Sequence, residues 1–162
     1  MARRLTELPN HGPLNALQYW PKLVHPLRVV WNFICIYLAK YSPSLRLKCF
    51  LYRLTGARIG QNVSFGLAVV LDVFYPHLIT VEDNVVIGYN SVILCHEFLV
   101  SGAKIGPVLI KRDVMVGANS TILAGVTIGE GTTVSAMSLV NKDLPAGAFA
   151  AGVPVQVLRI ES

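Results

Sequence analysis

The sequence is short of charge, of clustered cysteine and histidine, and of long apolar runs. Each shortage removes a class of protein. Charged residues are 14% of the 162 residues and hydrophobic residues 53%, which is too apolar for a disordered chain and enough for one domain with a sizeable core. The three cysteines, Cys35, Cys49 and Cys95, are scattered and form no CxxC pair, so free thiols in a reducing compartment, the cytoplasm, are expected. Zinc needs three or four convergent ligands, yet residues 59–162 hold only His77 and His96, so no metal is expected. The longest apolar stretch, Val29–Ala39, is interrupted by Asn32 and falls short of the roughly 20 residues that span a bilayer. Pro9, Gly12, Pro13, Pro21 and Pro26 break the early apolar run that a secretory signal needs. No nucleic-acid motif is present, and the basic residues lack interleaved aromatics in the repeat region.

Acid is scarce in one part of the chain above all. Residues 1–58 carry nine Lys and Arg against Glu7 alone, a balance of +8, and residues 59–162 carry five basic and eight acidic residues, a balance of −3, together the +5 of the whole. A local basic segment suits a membrane surface or another anionic partner. The other expectation is that residues 1–58 pack on the rest of the protein or on neighbouring subunits.

Two periodicities divide what remains. Residues 1–58 read as a loop followed by helices. One helix is predicted from about Leu27 to Tyr41, apolar nearly all round and so in need of cover. Ser42-Pro43-Ser44 breaks it, and Ser44 caps a second helix over Leu45–Leu54, which ends at Thr55-Gly56. Leu47, Phe50, Leu51 and Leu54 share a face of that helix. From residue 59 onward aliphatic residues recur every six positions: Ile59, Phe65, Leu71; then Val81, Ile87, Ile93, Leu99, Ile105; then Ile110, Val116, Ile122, Ile128, Val134, Val140. A helix of 3.6 residues per turn cannot produce that period. Short strands joined by turns can, with three hexads to each coil of a prism and the coils stacked in parallel. Val63, Val85, Val114 and Val126 supply a second inward position. The register slips between Leu71 and Val81 and between Ile105 and Ile110. In a solenoid such slips are loops leaving the prism, where specific sites tend to lie. A closing strand is expected over Val155–Ile160.

The run Gly117-Ala118-Asn119-Ser120-Thr121-Ile122-Leu123-Ala124-Gly125-Val126-Thr127-Ile128-Gly129 resembles the signature of the hexapeptide-repeat acyltransferases. So do Asn141-Lys142-Asp143-Leu144-Pro145, Ala151-Gly152-Val153-Pro154 and the terminal Arg159. The resemblance covers about residues 57–160 and is nearest to the galactoside and maltose O-acetyltransferases. It implies a mainly β fold, a left-handed parallel β-helix over residues 59–162, with residues 1–58 as an N-terminal helical segment. It implies a homotrimer with active sites between subunits and acetyl-CoA as the acyl donor. The acceptor is then a small molecule or glycan hydroxyl. The alternatives are a membrane-proximal lipid-linked acceptor, or a non-catalytic trimeric β-helix scaffold.

Transfer to an alcohol needs a base, and imidazole suits the task at neutral pH. In the resembled family a loop histidine at this stage of the prism does that job, which points to His96. Asp72 and Glu97 are both candidates to orient its ring, and His77 is expected to fill a turn. Cys95 cannot pair with His96, since neighbours on an extended segment face opposite ways. It is expected to pack inward instead. For the donor the resemblance points to Gly117, Ala118, Ala136, Asn141, Lys142 and Arg159. Small residues there let the pantetheine arm lie low on a wall kept clear by Gly117 and Gly125, and the two basic residues meet phosphates. Gln156 stands where the galactoside enzymes carry a further basic residue. The acceptor residues of those enzymes have no clear counterpart over Val70–Pro76.

Overall fold

A computed structural model describes residues 3–160. The hexad pattern folds as a three-faced prism of stacked coils. On the first face Ile59, Val81, Ile110 and Ile128 lie in parallel register. Phe65, Ile87, Val116, Val134 and Ala150 stack on the second face, and Leu71, Ile93, Ile122 and Val140 on the third. All of these side chains point inward and are buried, as are Val63, Val85, Val114 and Val126. The period of six is thus the geometry of one side of the prism.

The three vertices differ. Between the first and second faces the turns place Asn62, Asn84, Asp113 and Gly131 at positive φ. Between the second and third they place Ala68, Asn90, Asn119 and Met137 there. Asn and Asp tolerate this left-handed backbone, and stacked turn residues bond up the column, Asn84 Nδ2 to Asp113 Oδ1 at 2.7 Å and Asn90 Nδ2 to Asn119 Oδ1 at 2.9 Å. The third vertex carries the excursions. The first holds Asp72 to Tyr75 and a 3-10 turn, Pro76–Leu78.

The second excursion begins earlier than the pattern predicts. Leu99 and Ile105 are not rungs of the prism. The chain leaves after Ile93 and forms a hairpin, His96–Phe98 against Gly102–Ile105, returning at Val108–Ile110. Leu99 is exposed, and its place six residues after Ile93 is a coincidence of spacing. The hairpin is held by a strand that the sequence did not suggest. Thr6–Pro9 adds antiparallel to Gly102–Ile105, giving a three-stranded sheet.

Helix α1 (Trp20–Leu23) precedes α2 (Pro26–Tyr41) and α3 (Leu45–Leu54), and α2 and α3 pack against the first coil at the bottom of the prism. The bounds of α2 and α3 agree with the predicted ones, and Ser44 Oγ caps α3 by accepting from Leu47 N. Which face α3 buries is less obvious. Gly60 N donates to Val81 O and Gly66 N to Ile87 O on the second coil, while Gln61 O and Leu67 O accept from Asn84 N and Asn90 N. The first-coil carbonyls that point away from the second coil have no coil beneath them, and such groups must find partners. Helix α3 supplies donors: Arg53 Nε to Ile59 O (3.0 Å), Lys48 Nζ to Gly66 O (2.6 Å) and Tyr52 Oη to Val69 O (2.8 Å). Lys48, Cys49, Leu51 and Tyr52 are buried as a result, while Leu47, Phe50 and Leu54 face outward. At the far end Gln156–Ile160 folds back antiparallel on Ala148–Ala151 and closes the sheet.

Candidate active site

The two excursions share a vertex, and that brings Asp72 to His96. Asp72 follows the third-face strand of the first coil, and His96 lies just past the third-face strand of the second. Asp72 is 1% exposed. Its Oδ1 accepts from Phe74 N (2.8 Å) and Tyr75 N (2.9 Å). Its Oδ2 accepts from Cys95 N (2.6 Å) and from the His96 ring at Nδ1 (2.5 Å). A carboxylate only accepts, so the Nδ1 proton belongs to the imidazole and Nε2 is left as the basic nitrogen. The carboxylate thus folds its own loop, anchors the start of the hairpin and sets the tautomer. The His96 side chain keeps 15% exposure, so the ring is held without being sealed in.

Aromatic rings surround the imidazole. Phe74 stands edge-on to it at 5.0 Å, Phe98 lies at 4.9 Å and Tyr75 at 6.2 Å. Trp20 of α1 backs Phe74 at 5.7 Å. The Tyr75 hydroxyl is buried and has no hydrogen-bond partner among the described residues. Burial, and then the nearby Asp72, push its phenol pKa up, so it stays a donor. None of these rings was singled out from sequence. Phe98 lies two residues after His96 on the same side of a strand, and that spacing is the signal that was available, whereas Phe74 is placed by the bend that Asp72 closes.

Glu97 does not orient the imidazole. It points away into an ion pair with Arg3, which also reaches Ala124 O at 3.4 Å. Adjacent residues of a strand face opposite sides, so Glu97 cannot share Asp72's role. It ties the hairpin to the N-terminal segment instead. Cys95 packs inward, fully buried, and burial, followed by the Asp72 charge, pushes its thiol well up. His77 sits in the 3-10 turn beside Gly56.

The residues expected to meet the donor do not converge within one prism. Asn141 and Lys142 follow the third-face strand of the fourth coil and so rise on the vertex that carries His96. Ala118 and Ala136 stack on the neighbouring vertex, and Arg159 lies on the second face, its guanidinium 4.9 Å from the centre of the Phe149 ring. Lys142 Nζ donates to Gln156 Oε1 at 3.2 Å. Gly117 and Gly125 have tasks inside the fold. A Cβ at Gly117 would stand 2.3 Å from Ala136 N, and one at Gly125 2.7 Å from Arg4 O. They admit the next coil and the N-terminal segment, so the low wall expected of them is already occupied. Asn141 does suit an amide-bearing ligand. Its Oδ1 is buried and has no hydrogen-bond partner among the described residues, an acceptor that an amide N–H such as those of pantetheine would satisfy. No group of three or more His, Cys, Asp or Glu among the described residues could hold a metal ion.

Known proteins carry the same architecture. The bacterial transferase hexapeptide family (six repeats) matches residues 107–142, and the hexapeptide repeat of succinyl-transferase matches residues 78–106. A Bacillus subtilis protein named "Putative acetyltransferase YvoF" is 46% identical over 145 residues, 89% of this chain and 84% of that one. The chain belongs to the hexapeptide-repeat acetyltransferase family. Its prism is accordingly a left-handed parallel β-helix, and the protein is an acyltransferase. Among solved structures, the Vibrio cholerae hexapeptide-repeat acetyltransferase VCA0836 superposes with a TM-score of 0.71 at 23% identity, covering 83% of this chain and 90% of that one. A galactoside acetyltransferase in complex with coenzyme A gives 0.60 at 23% identity, covering 83% and 81%. At these identities the structures report the shared fold.

Proposed function

We propose that the protein is an acetyl-CoA-dependent O-acetyltransferase acting on a hydroxyl of a sugar or glycan, with His96 as the general base. The observation that carries the reading is the imidazole whose Nδ1 is bonded to a fully buried Asp72 carboxylate, so that Nε2 is the nitrogen left for chemistry. A hydroxyl is a weak nucleophile, and a positioned base contributes about 10²–10⁴ in rate. Acetyl-CoA supplies an acetyl group already activated as a thioester, so no covalent enzyme intermediate is required. His96 Nε2 takes the proton of the acceptor hydroxyl as its oxygen bonds to the carbonyl carbon, and Asp72 stabilises the imidazolium that forms. When the carbon–sulfur bond breaks, His96 returns the proton to the departing sulfur and regains its starting state.

Phe74 and Phe98 exclude water from the imidazole and present ring surfaces that suit the apolar face of a sugar ring. Tyr75 offers a spare hydroxyl donor. Asn141 and Lys142 are the groups on the His96 vertex that fit the amides and phosphates of coenzyme A. Ala118 and Ala136 fit the pantetheine arm from another prism, so a donor groove between two copies of a homotrimer reconciles their separate vertices. The exposed apolar face of α2 favours a bilayer-anchored form of the acceptor as a second reading.

The test is thiol release from acetyl-CoA with a panel of sugars, amino sugars and lipid-linked glycans, for wild type and His96→Ala. Release with a hydroxyl acceptor that falls by about 10²–10⁴ in the variant supports the proposal. Equal rates in the two proteins, or no release with any acceptor, would favour a prism that serves as a scaffold.

A further inference from the structure

Helix α2 is inside out for a helix on a water-soluble surface. The side it turns to the protein carries Asn32, Cys35, Ile36 and Ala39, and Asn32 Nδ2 donates to Val73 O at 2.9 Å. The side it turns outward has eight large apolar or aromatic residues exposed, among them Leu27 (74%), Val30, Phe33, Tyr37, Leu38 and Tyr41. At 100° per residue these occupy a continuous stripe about 160° wide, and no polar residue interrupts it. Phe33, Tyr37 and Tyr41 follow one another along it, tilted then edge-to-face, with ring centres 5.7 and 5.1 Å apart. Trp31 donates its indole N–H to Leu54 O at 3.1 Å, joining the stripe to the outward Leu47, Phe50 and Leu54 of α3. A contiguous apolar face of this size marks an interaction site.

Charge identifies what covers it. Residues 8–71 contain seven Lys and Arg and no Asp or Glu. Arg28, Arg46, Arg53 and Arg58 are exposed on or beside the same two helices, and Lys40 is half-buried at the edge of the stripe. A second copy docked face to face would set this surface against its own like charges. An anionic bilayer matches both features. Tyr and Trp favour the headgroup level, and basic residues favour anionic lipid. No helix among the described residues is long and apolar enough to cross a membrane. The sixteen residues of α2 extend about 24 Å, less than the hydrocarbon core, so the fitting geometry is a helix lying in the interface.

We propose that the outward face of α2 and α3 docks the protein on anionic lipid bilayers, with α2 in the plane of the headgroups. The full chain is co-sedimented with vesicles of phosphatidylcholine and phosphatidylglycerol and, in parallel, of phosphatidylcholine alone. The protein pellets with the anionic vesicles, binds the neutral ones about tenfold more weakly, and is released by salt. Phe33→Ser/Tyr37→Ser keeps the wild-type melting temperature and loses binding about tenfold. Lys40→Gln/Arg46→Gln spares the apolar stripe and serves should the first variant fail to fold. It removes the preference for anionic vesicles. The proposal is overturned if the wild type stays in the supernatant with anionic vesicles, or if the folded variants bind as the wild type does. It is overturned equally if the wild type runs as an oligomer whose mass falls on replacing Phe33 and Tyr37, since a second copy then covers the face. Binding is read without any acetyl acceptor, so the result is independent of the catalytic assay.

Discussion

Replacing Asp72 by Asn exchanges one acceptor oxygen for an NH2 donor at the centre of the site. The amide oxygen takes over Oδ1 and still accepts from Phe74 N and Tyr75 N. The amide nitrogen then stands where Oδ2 accepts from Cys95 N at 2.6 Å and from His96 Nδ1 at 2.5 Å. Two donors now face it. The Cys95 N–H has no acceptor and costs about 1–3 kcal/mol of stability. The imidazole escapes by moving its proton to Nε2, so that Nδ1 accepts from the amide. The tautomer that results cannot take a proton at the exposed nitrogen. The rate of acetyl transfer falls by about 10²–10⁴, or 3–5 kcal/mol of transition-state stabilisation, without a matching loss of donor affinity. Imidazole nitrogen NMR on labelled protein reads the tautomer directly, and thiol release reads the rate. A variant that retains the Nδ1–H tautomer and the wild-type rate would show that Asp72 does not set the tautomer.

Three further outcomes follow from the packing. Tyr52→Phe leaves Val69 O at the bottom of the prism without its donor. It lowers stability by about 1–2 kcal/mol in denaturant unfolding. Met137 holds a left-handed φ of 60° and is 66% exposed. Met137→Asn therefore relieves strain without opening the core and raises stability by about 0.5–1 kcal/mol. Cys35, Cys49 and Cys95 are all buried, and burial is the first cause pushing each thiol above its ordinary value near 9. They resist a thiol reagent in the native state and react on unfolding. Above pH 9 the unfolded chain releases thiol protons that the folded chain keeps, so stability is full below that pH and declines as pH rises through it. A pH series of unfolding midpoints in which replacing the three cysteines leaves the alkaline decline unchanged would contradict this origin.

The prism was legible because its cause is local. The third-face rungs Leu71, Ile93, Ile122 and Val140 each stand six residues after a second-face rung, and the slip after Leu71 marks where Asp72 leaves the wall, whereas the unbroken spacing through Leu99 and Ile105 hides the departure at His96. What escaped was decided by partners distant in sequence. Leu99 satisfies the hexad rule yet sits in a hairpin, because Thr6–Pro9, some ninety residues away, pairs with its second strand. A four-residue strand of mixed polarity carries no periodic signal of its own. Helix α3 misled in another way. A search for an apolar face selects Leu47, Phe50, Leu51 and Leu54, whereas the carbonyls of the first coil demand Lys48, Tyr52 and Arg53. Hydrogen-bond supply outranked hydrophobicity there, and only the coil's geometry shows that the supply is needed. Glu97 was a fair rival to Asp72 until the strand's alternation set it against Arg3.

A crystal structure of the protein with bound coenzyme A tests the site most directly. The thiol is expected beside His96 Nε2, a pantetheine amide bonded to Asn141 Oδ1, and Ala118 and Ala136 of an adjacent copy against the pantetheine arm. Coenzyme A bound on another face of the prism, with its sulfur remote from His96, would contradict this placement.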